Sequence, residues 1–182
     1  MQGQIQIYTG EGKGKTTAAL GLCIRAAGVG LKVAFIQFDK GSGEEDYYSE
    51  RNILRNLPQV DLQVTGRMRM VPDGKFRFAN SPPDLAEAKR GLALASKAVT
   101  SGKYDLVICD EILSCILTQL LTEKDVLNLM NKFEESGRKS ELVLTGRSLP
   151  ESVKGRADLV TEMKMVKHYF NKGLPARKGI EF

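Results

Sequence analysis

The sequence predicts an α/β fold, with a mostly parallel sheet that carries helices on both faces. The first observation is that short β-type runs alternate with longer helical patterns along the whole chain. The second is that residues 32–38 and 104–109 are nearly continuous apolar runs, as expected for strands buried on both faces. No repeat, low-complexity segment or linker divides the chain, so we expect a single domain over residues 1–182.

Elements in the first half of the chain follow from local patterns. Residues 4–9 form a short β-type run, and the Gly-rich turn after them leads into a predicted helix over residues 15–27. A helix over residues 46–56 and a short strand over residues 60–64 follow the first apolar strand. Residues 66–81 show no period and contain proline and glycine, so they predict a loop.

Elements in the second half are marked by spacing and by helix-start residues. Apolar residues at three- and four-residue steps predict an amphipathic helix over residues 85–99, and Pro83 suits its first turn. Another helix carries an apolar face and begins near Thr122, which is followed by Asp125 in a capping pattern. The strands predicted in this half are 104–109, 141–145 and 157–163. The basic tail after Met163 is expected to pack on the domain.

Composition excludes several classes of protein. The 182 residues are 42% hydrophobic and 27% charged, which is typical of a globular chain and not of a disordered one. No apolar run approaches the roughly 20 residues that span a membrane, and the N-terminus lacks the features of a secretory signal. The net charge of +5 is spread along the chain, so it permits an anionic ligand without indicating nucleic acid.

The cysteines indicate a redox compartment. Cys23, Cys109 and Cys115 are scattered, without the spacing of a zinc site or of a redox pair. We therefore expect reduced thiols in a cytoplasmic protein, with Cys23 and Cys109 as small core residues.

A phosphate-binding loop is the strongest local signal. Residues 9–17 read TGEGKGKTT and lie between a predicted strand and a predicted helix. In that position successive backbone N–H groups and the positive end of the helix can surround a phosphate. Lys15 supplies a cation to the phosphates, and Thr16 offers its hydroxyl to Mg²⁺.

This loop departs from the strict P-loop pattern at one position. The pattern has glycine five residues before Gly14, where this chain has Thr9, and the glycine has moved to Gly10. A dinucleotide-binding loop fits less well, because Lys15 stands where its third glycine is needed. The alternative is a glycine- and lysine-rich turn that binds no ligand.

Two carboxylates follow the apolar strand that ends at Cys109. Asp110 can hold Mg²⁺ directly or through water, and Glu111 can reach the metal, a water or the nucleotide. Together with Thr16 they form the predicted metal site. A strand that ends in Asp-Glu is also a common start of a polar loop, and that alternative stays open.

Several longer segments closely resemble the ATP:corrinoid adenosyltransferase family, a group with a RecA-like P-loop fold. The resemblance runs from Ile5 nearly to Phe182. Besides the shifted P-loop, its most specific parts are TGR at 145–147, the residues Ala157, Asp158, Val160, Thr161 and Glu162, the triplet VKH at 166–168, and ARKGIE at 176–181.

The resemblance implies that the chain transfers the 5′-deoxyadenosyl group of ATP to the cobalt of a reduced corrinoid, cob(I)alamin or cobinamide, and releases triphosphate. This reaction serves adenosylcobalamin synthesis or salvage, and ATP lies in the reverse sense along the loop. Lys15 and Glu111 are the implied catalytic residues, and Mg²⁺ is the implied cofactor. The implied ATP-binding residues are Gly10, Glu11, Gly12, Lys13, Gly14, Lys15, Thr16, Thr17, Lys40 and Arg147.

On the corrinoid side, family members place a Phe-x-Trp pair where it displaces the lower cobalt ligand. Phe76 matches that phenylalanine and Phe78 replaces the tryptophan, since the chain has no tryptophan. Alternatively, both rings anchor a loop to the core. The helical extension that covers the corrinoid in many members is expected to be absent at the N-terminus. The family also implies a homodimer, whereas the spread charge and the lack of a long apolar run predict no nucleic-acid or membrane partner.

Other residues carry two interpretations each. Lys40 either contacts the nucleotide or is a solvated loop charge, and Arg147 either binds a phosphate or pairs with Asp158 or another acid. His168 is either a proton or cobalt-side contact or a hydrogen-bonded structural residue. The basic residues of the predicted corrinoid loop either meet a flavodoxin-type acidic reductant or are solvated; they are Arg67, Arg69, Lys75 and Arg77.

Two other functions compete with adenosyl transfer. A RecA-like ATPase or small-molecule kinase would use the same loop for γ-phosphoryl chemistry and would yield ADP. A non-catalytic corrinoid or nucleotide sensor would keep the fold, and the missing tryptophan motivates that alternative.

Overall fold

The six strands found among the described residues lie in one parallel sheet. The computed structural model describes residues 2–41, 47–69, 77 and 79–182. The strands are β1 Ile5–Thr9, β2 Val33–Gln37, β3 Val60–Val64, β4 Leu106–Asp110, β5 Glu141–Thr145 and β6 Leu159–Glu162, in the sheet order β3-β2-β4-β5-β1-β6. Every neighbouring pair is parallel, which confirms the predicted fold class.

Helices cover both faces of this sheet. They are α1 Lys15–Gly28, α2 Glu50–Leu54, α3 Pro82–Ser101, α4 Ile112–Leu117, α5 Glu123–Glu135 and α6 Glu151–Lys154, and a 3-10 helix spans Tyr169–Lys172. Alternate residues of β2 lie on opposite faces of the sheet, in two different hydrophobic cores. Ala34 and Ile36 lie in the core shared with α3 and α5, whereas Val33 and Phe35 lie in the core shared with α1 and α2. The apolar run of β2 is therefore explained by burial on both faces.

Short elements account for the differences from the predicted elements. The helix predicted over residues 46–56 is confined to α2 among the described residues, and the last strand begins at Leu159. Helices α4 and α6 were not predicted, because one or two turns are too short to show a helical period. The described residues of the predicted loop 66–81 lie outside helices and strands.

Side-chain caps fix the starts of the two long helices on one face. Ser81 and Asp84 form a capping box at the start of α3, and Thr122 and Asp125 form one at the start of α5, as predicted for the latter. Arg77 donates two hydrogen bonds to the buried Asp84 carboxylate, at 2.7 and 2.9 Å. These bonds, with those from Ser81, hold the pKa of Asp84 well below its usual range.

The three cysteines are buried and unbonded, as predicted for the two in apolar stretches. Burial raises the pKa of Cys23 to about 11 and raises those of Cys109 and Cys115 further, so the thiols are protonated at neutral pH. In the part of the chain that the structure describes, no helix has the length and apolar character needed to cross a membrane.

Two glycines in helices are expected to respond oppositely to alanine. A Cβ at Gly91 in α3 would lie 2.7 Å from Cε1 of Phe38 and 2.8 Å from Oγ1 of Thr65, whereas one at Gly21 in α1 meets nothing within 4 Å. Gly91→Ala should lower the free energy of unfolding by about 1–3 kcal/mol through overpacking. Gly21→Ala should raise it by roughly 0.5–1 kcal/mol. Urea titration of both variants measures this, and a stabilised Gly91→Ala would contradict the packing seen here.

Candidate active site

The candidate site lies at the carboxyl edge of the sheet. Strand β5 separates β1 from β4, and all three run parallel, so the segments that follow them meet at one edge. The glycine-rich loop follows β1, Glu111 follows β4, and Arg147 follows β5. Ligands of open α/β sheets bind at this edge.

Glycine is required in the phosphate loop for two different reasons. Gly14 has φ = 124°, a conformation that L side chains rarely adopt, and it directly precedes α1. Gly12 donates its N–H to the carbonyl oxygen of Met163 at 2.6 Å, and a Cβ there would lie 2.5 Å from that oxygen. The segment after β6 therefore supports the loop from behind.

Lys15 bonds to the loop that contains it. Its Nζ donates to the carbonyl oxygens of Gly10 at 2.7 Å and of Gly12 at 2.9 Å. The residue is buried, and this burial lowers the pKa of its ammonium. A phosphate that accepts these hydrogen bonds in place of the two carbonyls would bring a negative charge next to the ammonium.

A buried polar cluster surrounds Asp110 at the end of β4. Oδ1 of Asp110 accepts hydrogen bonds from the hydroxyls of Thr16 at 3.0 Å and Thr145 at 2.7 Å. Oδ2 accepts from Nζ of Lys40 at 2.6 Å. These three donors come from α1, from β5 and from the segment after β2, so the cluster joins three segments at the site.

Lys40 is not a solvated loop charge. It is 8% exposed, and besides Asp110 its Nζ donates to Oγ1 of Thr16 at 3.1 Å. Burial favours the neutral amine, but the carboxylates of Asp110 and Glu111 together outweigh it and raise the pKa of Lys40. The side chain is therefore an ammonium that faces the cavity beside the phosphate loop.

Glu111 is held in place by β5 and α4. Its φ of 66° is left-handed, its N–H donates to Oγ1 of Thr145 at 2.9 Å, and its carboxylate accepts from the hydroxyl of Ser114. The same hydroxyl oxygen accepts from the N–H of Arg147 at 3.0 Å. Ser114 therefore couples Glu111 to the start of the segment after β5.

Arg147 and Glu11 form an ion pair on the cavity wall. Nη1 of Arg147 donates to Oε2 of Glu11 at 3.1 Å, and both side chains are more than half exposed. Arg147 thus pairs with an acid, one of the two alternatives, but the acid is Glu11 and not Asp158, which bonds to Arg138 and to the N–H of Ile5.

The C-terminal segment closes one side of the site. Lys13 donates to the hydroxyl of Tyr169 at 3.0 Å, to the carbonyl of Ile180 at 2.8 Å and to Glu181 at 2.7 Å. Hydrogen bonds from Arg177, Lys13 and Tyr169 hold the pKa of Glu181 well below its usual range. The tail thus packs on the domain, as the sequence predicts, and it contacts the phosphate loop.

A cavity of about 650 Å³ opens between these segments, within the size range of about 300–1,000 Å³ that is common for ligand pockets. Most predicted ATP-binding residues line it, namely Glu11, Gly12, Lys13, Gly14, Lys15, Thr16, Thr17, Lys40 and Arg147, together with Glu111. Gly10 and Asp110 lie behind this lining, where they bond to Lys15 and Thr16. Phe76, Phe78 and Lys75 lie outside the described residues.

Other lining residues are not among the predicted ATP-binding residues, although the sequence singles out His168 and the segment 176–181. They are Leu20, Tyr48, Ser49, Glu50, Ile53, His168, Gly179, Ile180, Glu181 and Phe182. The rings of Tyr47 and Phe182 are stacked at 4.2 Å, which brings the end of the chain to the segment before α2. Nδ1 of His168 accepts from the N–H of Phe170, the contact expected of a structural histidine, although the residue also lines the cavity.

The side chains around Thr16 fit a divalent cation. A hydroxyl and two carboxylates, from Thr16, Asp110 and Glu111, are the oxygen ligands that Mg²⁺ prefers. The Lys40 ammonium, which is itself a cation, donates hydrogen bonds to the oxygens of Thr16 and Asp110. No group of three or more acidic, histidine or cysteine side chains suited to a metal occurs among the described residues, so other ligands would come from phosphate and water.

Known proteins resemble the chain over its full length. Residues 1–182 match the protein family described as ATP:corrinoid adenosyltransferase BtuR/CobO/CobP. Corrinoid adenosyltransferase of Escherichia coli K12 is 32% identical over 181 residues, which are 100% of this chain and 86% of that protein. Those of Pseudomonas aeruginosa and Salmonella typhimurium LT2 are each 31% identical across 100% of this chain, and 84% and 86% of their own lengths. The chain therefore belongs to the ATP:corrinoid adenosyltransferase family.

Proposed function

We propose that this enzyme transfers the 5′-deoxyadenosyl group of ATP to the cobalt of a reduced corrinoid and releases inorganic triphosphate. Membership of the family over the full chain supports the reaction class. The observation that carries the site assignment is the cavity itself, which is bounded by the phosphate loop, Lys40, Glu111 and Arg147.

The reaction requires the protein to stabilise negative charge on the leaving group. The Co(I) electron pair attacks the 5′ carbon, a cobalt–carbon bond forms, and the bond from that carbon to the phosphate oxygen breaks. Cobalt is oxidised formally to Co(III), and the electron pair of the broken bond leaves with triphosphate. Negative charge therefore grows on the leaving oxygen, where preorganised donors stabilise the transition state most effectively.

Residues of the phosphate loop are suited to stabilising this negative charge. Lys15 is buried and bonds to the loop's carbonyls, so a triphosphate that accepts these bonds would meet an ammonium already in position. The loop N–H groups and the start of α1 add partial positive charge. In this proposal Lys15 stabilises the leaving triphosphate, and Glu111 orients the metal or a water.

A divalent ion, when bound, neutralises phosphate charge and acts as a Lewis acid on the phosphate oxygens. We propose that Thr16 and Glu111 are its protein ligands in the presence of ATP, and that Asp110 holds it directly or through water. Thr16 and Glu111 line the cavity, Asp110 bonds to Thr16 behind it, and Ser114 fixes the Glu111 carboxylate.

The products separate this function from the alternatives. Protein mixed with Mg-ATP and chemically reduced cob(I)alamin should give an alkylated corrin spectrum and one triphosphate per corrin. ADP or orthophosphate without alkylated cobalt would favour an ATPase or kinase. Binding of both substrates without turnover would favour a sensor. Substituting cobinamide for cobalamin would show which corrinoid is preferred.

Arg147→Ala is expected to raise the KM for ATP about tenfold, because the loss of one charge-assisted hydrogen bond to a phosphate weakens binding by about that factor. Its ion pair with Glu11 is largely exposed, so stability should change by less than about 1 kcal/mol. Arg156→Ala is the matched control, since it also loses an ion pair, with Glu134, but precedes β6 at the opposite edge of the sheet. Equal KM values in both variants would remove Arg147 from the ATP site.

We further propose that the enzyme is a cytoplasmic homodimer and that a flavodoxin-type partner supplies the electrons that reduce the cobalt of the corrinoid. The exposed Leu159 and Val160 on edge strand β6 support self-association, and the buried free thiols support a reducing compartment. Arg69 is not available to an acidic reductant, because it is 4% exposed and bonds to Asp39 at 2.7 Å. Arg77 likewise bonds to Asp84. The exposed Arg67 remains a candidate contact.

A further inference from the structure

The Lys40 ammonium occupies a position where the site could hold a metal ion. It lies within hydrogen-bond distance of both Oγ1 of Thr16 and Oδ2 of Asp110. These are two of the oxygen atoms that a cation at this site would use. A lysine from the segment after β2 therefore already neutralises the carboxylate at the end of β4.

The hydrogen-bond pattern shows which lone pairs are in use. The Thr16 hydroxyl has one proton, which it donates to Oδ1 of Asp110, so its oxygen accepts from Lys40. Thr145 donates its proton to the same Oδ1, and Oδ2 accepts from the ammonium. Asp110 thus has three donors and is fully buried. Its carboxylate is hydrogen-bonded and paired with a cation within the chain.

The chain holds Lys40 in this place from several sides. Its N–H donates to the carbonyl of Thr65 at 3.1 Å, and its own carbonyl accepts from the buried Arg51. Its ammonium also lies 5.1 Å from the centre of the Tyr48 ring. The position of this lysine is therefore set by neighbours in several segments and is not that of a flexible surface side chain.

A divalent ion and the Lys40 ammonium would compete for the same oxygen atoms. Mg²⁺ bound to Oγ1 of Thr16 at about 2.1 Å would lie a few ångströms from Nζ, which is 3.1 Å from the same oxygen. Two cations at such a distance repel each other strongly where water is excluded. Extra negative charge, such as that of a triphosphate, would offset the repulsion.

We propose that Lys40 is a resident cation of the metal site, which keeps divalent ions out until the triphosphate of ATP arrives. The metal then enters with the nucleotide, and the ammonium leaves Thr16 for the phosphate oxygens. Lys40 is in this sense a positioning residue that couples metal binding to nucleotide binding. The inference rests on the proposed use of a divalent ion by this site.

Metal binding without nucleotide tests the proposal. Mn²⁺ is titrated into nucleotide-free protein and the free ion is followed by electron paramagnetic resonance. Lys40→Met should bind Mn²⁺ at least about tenfold more tightly than the wild type, because it frees Thr16 and Asp110 and removes a positive charge. Lys103→Met, an exposed lysine before β4, is the control and should match the wild type. A folded Lys40→Met with wild-type affinity would overturn the proposal.

A measurement on the wild type covers the case in which Lys40→Met does not fold. A hydrogen-bonded, buried ammonium is observable in a ¹H–¹⁵N lysine correlation spectrum, and its signal is assigned by its loss in Lys40→Arg. Mg²⁺ alone should leave the signal in place, and Mg²⁺ with inorganic triphosphate should shift it. A shift with Mg²⁺ alone, or none with both, would overturn the proposal. Neither readout involves adenosyl transfer, so failure of the proposed reaction would be seen separately.

Discussion

Lys15→Ala is expected to lower kcat/KM for ATP by about 100-fold or more, with most of the loss in kcat. The side chain is the buried cation of the phosphate loop, and its two present partners are neutral carbonyls of the same loop. Removing one preorganised donor from a site of developing negative charge commonly costs about 10²–10³ in rate. Coupled formation of alkylated corrin and triphosphate gives both kinetic constants.

The control for this experiment is a lysine at the opposite edge of the sheet. Lys103 precedes β4 and is exposed, so Lys103→Ala removes the same charge far from the carboxyl edge and should keep wild-type rates. Lys15→Arg keeps the charge with a different shape and should recover only part of the lost rate. If Lys15→Ala turned over at the wild-type rate, the role of this residue would be refuted.

The cationic side chains of the site each have partners within the chain. Lys15 bonds to loop carbonyls, Lys40 to Asp110, Lys13 to the C-terminal segment and Arg147 to Glu11. A triphosphate must therefore exchange these contacts for its own rather than fill an uncompensated positive pocket. Binding should then depend on how easily each contact is released, and the buried contact of Lys40 is the most difficult to break.

The sequence predicts the parts of this site that are local. The phosphate loop lies within nine residues, and its glycines, Lys15 and Thr16 can be recognised from their spacing between a strand and a helix. The fold class is predicted equally well, because β2 and β4 are apolar throughout and strands buried on both faces need helices on each side.

Contacts between distant segments could not be predicted. Lys40 and Asp110 are 70 residues apart, and Lys13 and Glu181 are 168 apart. Their contacts depend on the strand order, which places β2 next to β4 and places β6, the strand before the tail, next to β1, the strand before the loop. A sequence pattern shows that Lys40 follows a strand, but it does not show whether its ammonium faces solvent or a buried carboxylate.

The second large effect is expected at Asp110. Asp110→Asn keeps the shape and leaves an oxygen that accepts from Thr16 and Thr145, but it leaves the buried Lys40 ammonium without its counter-ion. Removal of one partner from a buried ion pair typically costs about 3–5 kcal/mol, so the free energy of unfolding should fall by that amount. Urea titration at neutral pH measures the change.

The double variant Asp110→Asn with Lys40→Met shows how much of the stability change comes from the Lys40–Asp110 ion pair itself. Replacing both members of a buried ion pair by neutral groups is often nearly neutral, because the desolvation of two charges is lost together with their attraction. The double variant should therefore be more stable than Asp110→Asn alone, and the two single losses should not add. Additive losses would mean that the 2.6 Å contact contributes little. Each residue would then act through its other neighbours, with Lys40 supported by Thr16 and Tyr48 and Asp110 by the two threonine hydroxyls.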